Sequence, residues 1–84
     1  EEVTLRAYGT FADYLRKHPF HHSQVERNDM GTFTSFDYML LVTDELVDEI
    51  LALGDKVEIT FPEKLRMKLL QKIGHIRNRY NVSF

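Results

Sequence analysis

The densest group of side chains able to do chemistry is His18-Pro19-Phe20-His21-His22-Ser23-Gln24. Three imidazoles within five positions could supply zinc ligands, because neutral imidazole is a common metal donor. The pattern stops short of a metal site. No HExxH motif is present, Pro19 separates His18 from the pair, and no carboxylate stands in a fixed relation to them. The segment equally suits a loop whose polar side chains bond neighbouring backbone. It also suits recognition of a small ligand or of another domain. Ser23 follows His22, yet adjacency does not make a triad, and there is no G-x-S-x-G elbow. Asp44, Glu45, Asp48 and Glu49 have the spacing of a solvated helix face rather than of an acid/base pair. Four scattered glycines match neither a dinucleotide nor a P-loop fingerprint. With no cysteine, thiol chemistry, disulfides and Cys-based zinc sites are excluded. The expectation is a protein that is not an enzyme and holds no cofactor or metal.

Composition sets the frame. The 84 residues are 43% hydrophobic, 12% aromatic and 29% charged, which argues for one folded domain over residues 1–84 rather than a disordered chain. No apolar run is long enough for a membrane span. The first residues, Glu1-Glu2-Val3, carry no signal segment and no initiator Met, which suggests a cytoplasmic fragment of a longer chain. A net charge of −2 gives no overall pull toward nucleic acid. The charge is nevertheless segregated. From Asp37 to Glu58 there are seven acids and one base, whereas from Glu63 to Tyr80 there are six bases and one acid. Two solvated helix faces of opposite sign would produce this, as would a polar seam to a partner or a stripe for phosphates.

The elements that must position these groups follow from periodicity. Val3 to Tyr8 alternates as a half-buried strand with Val3, Leu5 and Ala7 inward. Thr10 is placed to cap a two-turn helix that puts Phe11, Tyr14 and Leu15 on one side and ends before Pro19. Gln24 to Arg27 and Thr32 to Val42 pair as a hairpin around Asn28-Asp29-Met30-Gly31. Phe36, Tyr38, Leu40 and Val42 share one face of the second strand, and Phe33, Asp37, Met39 and Leu41 the other. Thr43 caps a helix with Leu46, Val47, Ile50 and Leu51 inward and Gly54 as its stop. Lys56 to Phe61 is a strand, and Pro62 and Glu63 open a long helix with the stripe Leu65, Leu69, Ile73, Ile76 and Tyr80. Lys64, Lys68, Lys72, His75 and Arg79 line a flank of that helix, which makes the first three and Arg79 candidates for phosphate contacts. Asn81 to Phe84 reads as a frayed tail.

This order predicts an α+β ferredoxin-like βαββαβ sandwich, an antiparallel four-stranded sheet plus an extra C-terminal helix. Both crossover helices then lie on one face. The other would show Thr4, Arg6, Tyr8, Phe33, Met39, Leu41, Glu58 and Thr60. Phe33, Met39 and Leu41 would form an exposed apolar patch, covered by the final helix or by another subunit. Such a face also suggests RNA-binding modules that stack bases on aromatic residues, but the K/R-G-F/Y signature is absent and the acidic middle opposes phosphate.

Several segments together resemble the C-terminal extension of WYL-domain transcriptional regulators. These are Val3-Thr4-Leu5-Arg6, the stretch Pro19-Phe20-His21-His22-Ser23-Gln24, which is similar to an L-P-L-H-x-S-Q segment of some members, and the spacing Gly54, Val57, Glu58, Pro62, Leu65, Arg66. The resemblance runs from about Val3 to Tyr80. It implies the last part of a bacterial regulator whose helix-turn-helix binds DNA and whose WYL domain senses a ligand, the extension being ferredoxin-like and aiding dimerisation. This chain contains neither the helix-turn-helix nor the Trp-Tyr-Leu motif, so only the extension's role transfers. The expectation is a regulatory and oligomerisation domain whose partner is a neighbouring WYL domain or a second subunit, met through Phe33, Met39 and Leu41 together with the final helix. Two alternatives stand beside it. One is a small-molecule sensor using His21, His22, Gln24 and Arg66; the other is nucleic-acid binding through Lys64, Lys68, Lys72 and Arg79.

Overall fold

A computed structural model describes residues 1–81. Strand β1 (Glu2–Tyr8) leads to helix α1 (Phe11–Lys17), then to β2 (Val25–Asp29) and β3 (Phe33–Met39). Helix α2 (Asp44–Ala52) follows, then a single 3-10 turn over Gly54–Lys56, strand β4 (Val57–Phe61) and helix α3 (Glu63–Asn81). The four strands form one antiparallel sheet in the order β2-β3-β1-β4. Over the described residues the chain is thus α+β, with three α-helices.

Alternation in β1 places Val3, Leu5 and Ala7 inward and fully buried. Beside them lie Phe36 and Tyr38 of β3 and Ile59 of β4. Ala12 and Leu15 of α1, Leu46, Val47 and Ile50 of α2, and Leu65 and Leu69 of α3 close over the same residues. All three helices therefore pack on one face of the sheet. The expected cover of the opposite face by the final helix is not found, because the stripe that α3 buries begins with Leu65 and Leu69 and belongs to this core.

Helix starts differ in mechanism. Thr43 has extended backbone (φ −119°, ψ 168°), and its hydroxyl accepts from the Leu46 N–H at 3.1 Å, the expected cap. Thr10 already has helical backbone (φ −71°, ψ −11°) and makes no side-chain cap bond, so that expectation fails. Gly9, at φ +57°, supplies the sharp turn into α1 instead. Tyr14 is exposed rather than inward and stacks on Phe11 at 5.3 Å. Strand β3 ends at Met39, three residues sooner than expected. Glu2 stands opposite Met39, and past that pair Leu40 still exchanges two backbone hydrogen bonds with Glu1, at 2.8 and 2.9 Å. Of the expected frayed tail, Asn81 is helical and positions 82–84 lie outside the described residues.

Edge strand β2 buries none of its residues. A bulge at Arg27 interrupts its ladder with β3, a common device for blunting an exposed edge. Besides the ladder and the Arg27–Asp37 bond, its side-chain tie to the body is Arg16 of α1. That guanidinium donates to Glu26 through Nε at 2.8 Å and Nη2 at 3.1 Å, and to Asp13 at 2.6 Å. It also reaches Asp29 at 3.6 Å and the Thr34 hydroxyl at 3.4 Å. The two-point bond from Arg16 holds the Glu26 carboxyl below its ordinary range. A carboxyl lowered in the folded state stabilises above its unfolded value and loses that contribution as pH falls through the folded one. Amide protection in Val25–Asp29 should therefore fall before that of β1 on acidification below about pH 4.5. Arg16→Gln should remove this early loss by lowering β2 protection at all pH values. Unchanged β2 protection factors in Arg16→Gln, measured by NMR hydrogen exchange, would show that Arg16 does not hold the strand.

Candidate interaction surface

The histidine segment is bonded inward. Gln24 is the hub. Its Oε1 accepts from the Phe20 N–H at 3.1 Å and from the Tyr38 hydroxyl at 2.7 Å, and its Nε2 donates to the Leu15 carbonyl at 2.9 Å. One amide thus joins the end of α1, the loop and the core face of β3. Burial of Tyr38 pushes its hydroxyl well above the ordinary tyrosine range, which keeps it a donor. Ser23 Oγ accepts from the Met39 N–H at 3.0 Å and lies 2.8 Å from His21 Nδ1. The rings of His21 and His22 sit 4.1 Å apart, whereas His18 packs on Tyr14 at 4.9 Å. Among the described residues no three His, Asp or Glu side chains form a group that could hold a metal ion.

Arg66 is not part of this cluster. Its Nη1 donates to the Ile59 carbonyl at 3.0 Å, on edge strand β4. The His21–Gln24 segment precedes the opposite edge strand, β2. The ligand site expected from His21, His22, Gln24 and Arg66 is therefore not assembled. The residues stand at opposite edges of the sheet, and Gln24 and Arg66 are committed to holding elements together.

The open sheet face is polar in its centre. Between Phe33 and Met39 on that side of β3 come Ser35 and Asp37. Asp37 accepts from the Thr4 hydroxyl at 2.8 Å and from Arg27 Nε at 2.7 Å. The Tyr8 hydroxyl donates to Glu58 at 2.6 Å, a bond that raises its pKa, and Arg6 stands 3.9 Å from the same carboxylate. Arg6 also lies over the Phe33 ring, 4.4 Å from its centroid, with Tyr8 at 5.9 Å. Phe33 is thus half-covered at one end of β3, Met39 is 60% exposed at the other, and Leu41 is 81% exposed beyond the strand. The expected apolar patch of Phe33, Met39 and Leu41 does not exist as one surface. The aromatic pair on the central strands is likewise engaged, which weakens a base-stacking role.

The apolar surface lies instead on α3. Nineteen residues make this helix about 28 Å long. Strands of five to seven residues span roughly 17–23 Å at about 3.3 Å per residue. Leu65 and Leu69 are buried, but the same stripe continues through Ile73 (48% exposed) and Ile76 (46%) past the body, with Leu70 (52%) beside it. At the root of this overhang an apolar groove of about 230 Å³ opens between α2, β4 and α3. Leu51, Val57, Leu70 and Ile73 line it, with Glu58 and Arg66 as its charged members. The stripe was legible as a helix face. Its exposure was not, because periodicity identifies a face and not how far the neighbouring layer extends.

The basic flank is partly neutralised within the chain. Lys64 pairs with Glu1 at 3.1 Å and Lys72 with Asp48 at 3.5 Å. Lys68 and Arg79, the other two expected phosphate contacts, are exposed and form no ion pair among the described residues, as is true of Arg77. No described helix is long and apolar enough to cross a membrane.

Two outcomes follow. Gln24→Leu should destabilise the fold by about 1–3 kcal/mol, because the buried Tyr38 hydroxyl loses its acceptor. Adding Tyr38→Phe to it should recover part of that loss in chemical denaturation, and equal stability of the single and double variants would dismiss the pairing. Met39→Glu and Leu41→Glu should each shift stability by no more than about 0.5 kcal/mol. They should also leave the sedimenting mass unchanged; a fall in mass would restore the sheet face as an interface. No family model matches the chain, and no curated protein matches it.

Proposed function

We propose that this chain is a non-enzymatic regulatory and oligomerisation domain, the role the resemblance implies for the C-terminal extension of bacterial WYL-type transcription regulators acting in the cytoplasm. The single observation that carries the reading is the apolar stripe of α3 running past the sheet beside an open groove. We read the architecture as ferredoxin-like, and that reading is consistent with this role. Read from the other edge, the strands run β4-β1-β3-β2, with α1 between β1 and β2 and α2 between β3 and β4. In that frame α3 is the addition to the basic fold, and the addition is where the unpartnered apolar surface lies.

Energetics favours a protein partner over a ligand or nucleic acid. Hiding the exposed halves of Ile73 and Ile76 from water stabilises a contact by about 1 kcal/mol each. A surface ion pair contributes less than that. A nucleic-acid reading draws on Lys68, Arg77 and Arg79, but a phosphate stripe would leave the aliphatic row between them in water. A small-molecule reading draws on the groove, whose Arg66 is already bonded to the Ile59 carbonyl.

The chain should self-associate in sedimentation equilibrium over a series reaching several hundred micromolar. Ile73→Glu combined with Ile76→Glu should return it to monomer mass with an unchanged circular dichroism melt, since both side chains are half-exposed. A wild-type chain that stays monomeric throughout the series would remove the oligomerisation reading.

A further inference from the structure

The distal half of α3 is cationic on both sides of its apolar row. At 3.6 residues per turn, Ile73 and Ile76 continue the line of Leu65 and Leu69. Lys72 and Arg79 fall to one side of that line, and Arg77 to the other. From Lys64 to Asn81 there are six bases and no acid. Lys68, Arg77 and Arg79 form no ion pair among the described residues, and Lys72 has an exposed one with Asp48 at 3.5 Å. The acids at the root of the overhang are offset by bases. Glu58 accepts from the Tyr8 hydroxyl at 2.6 Å and lies 3.9 Å from both Arg6 and Arg66. Asp55 is followed by Lys56.

The direction of the row limits what can reach it. Leu65 and Leu69 are buried against the body, so the same helix face at Ile73 and Ile76 looks past the ends of α2 and β4 rather than away from the molecule. Ile73 still lines the groove beside Leu51 and Gly54, and Ile76, a turn further on, does not. Helix α2 ends at Ala52, short of Ile76, which stays 46% exposed. A flat lipid surface would have to cut through the body to touch this row, although the composition of the helix would suit one. A narrow element can reach it, such as a second helix continuing the line of α2. The chain's own helices do not supply that element. A second α3 would set cations against cations, as mismatched flanking charges do in a coiled coil. Helix α2 has the acids, but its apolar residues Leu46, Val47 and Ile50 are buried in its own core.

We propose that the Leu70–Asn81 half of α3 docks an acidic amphipathic helix of another protein. That helix carries aliphatic residues at i, i+3, i+4 and i+7, with Asp or Glu along both edges of the row. The half from Leu70 to Asn81 is about 18 Å long, enough to hold three turns of it. Apolar contact supplies most of the affinity, and the cations on both edges select an acidic partner over a basic one. This goes beyond the oligomerisation reading. Self-association through the same row brings like charges together, so it is the weaker use of the surface, and the two compete.

The probe is a dye-labelled, end-blocked peptide of about four helical turns, with Leu at i, i+3, i+4 and i+7 and Glu along both edges, titrated with the chain in fluorescence anisotropy. It should bind about tenfold or more tightly than a scrambled peptide of the same composition, and than a twin carrying Lys in place of Glu. Ile73→Glu with Ile76→Glu, and separately Arg77→Glu with Arg79→Glu, should each weaken binding about tenfold or more with an unchanged circular dichroism melt, since all four side chains are exposed. Amide shift changes on binding should be confined to the groove and to Leu70–Asn81. Equal binding of the acidic, scrambled and Lys peptides would overturn the inference, as would undiminished binding in the Arg77 and Arg79 variant. Binding to phosphatidylglycerol vesicles without binding to the peptide would also overturn it, in favour of a lipid surface. A chain that self-associates but ignores the acidic peptide refutes the docking and keeps the oligomerisation reading. One that binds the peptide yet stays monomeric up to several hundred micromolar does the reverse.

Discussion

The inward row of the central strand β1, formed by Val3, Leu5 and Ala7, is the surface against which everything else is arranged. It is buried almost completely, and it draws α1, α2 and α3 to the same side of the sheet. That one-sidedness has two consequences. The far side of the sheet must be stable in water, and it is, through Asp37 with Thr4 and Arg27, and Glu58 with Tyr8 and Arg6. The helices must also share a limited area. The strands are five to seven residues long, and a nineteen-residue helix does not fit on them from end to end. The overhang of α3 is thus a result of sheet size rather than of any property of its distal half.

Much of the architecture could be read from the residues. Alternation located the inward face of β1 and, in β4, Val57 and Ile59, whereas Phe61, expected inward with them, is 51% exposed because a register shift sets it opposite Thr4. Thr43 and Gly54 bounded α2 through local backbone chemistry that needs no tertiary context. The failures share a cause. Thr10 has the composition of a cap, but Gly9 turns the chain so that Thr10 already lies in the helix. Leu41 continues the alternation of β3, yet a strand persists only while a neighbour offers hydrogen bonds, and the last of these are the two that Leu40 exchanges with Glu1. Phe33 and Met39 do share a face, as their parity requires. Whether they form a patch depends on Ser35 and Asp37 between them, and a reading that selects the apolar members of a face overlooks its polar ones.

The candidate site was legible in the same uneven way. The histidine segment drew notice for the number of its imidazoles, whereas its most connected residue is Gln24. That side chain completes three hydrogen bonds to a helix, a loop and a strand, and nothing in local spacing marks an amide for such a role. Arg66 is similar. A guanidinium on a helix reads as solvated charge, but here it donates to a carbonyl of the edge strand β4 and limits that edge's availability for pairing. Charged and amide side chains fasten the body of this molecule, while a row of half-exposed aliphatic side chains on α3 remains open to a partner.

Charge segregation along the chain then acquires a definite meaning. Had the acids of α2 and the bases of α3 neutralised each other within one copy, many intrachain pairs would join the two helices. Only Lys72 and Asp48 do so among the described residues, and weakly. The reason is geometric: α2 is nine residues long and α3 nineteen, so most of the bases lie beyond reach of the acids on the neighbouring helix. Segregated charge that a fold leaves unpaired raises the self-repulsion of each half and favours any arrangement that brings opposite halves together. Apolar surface without this pattern would accept many partners. Apolar surface edged by one sign of charge selects against a partner edged by the same sign.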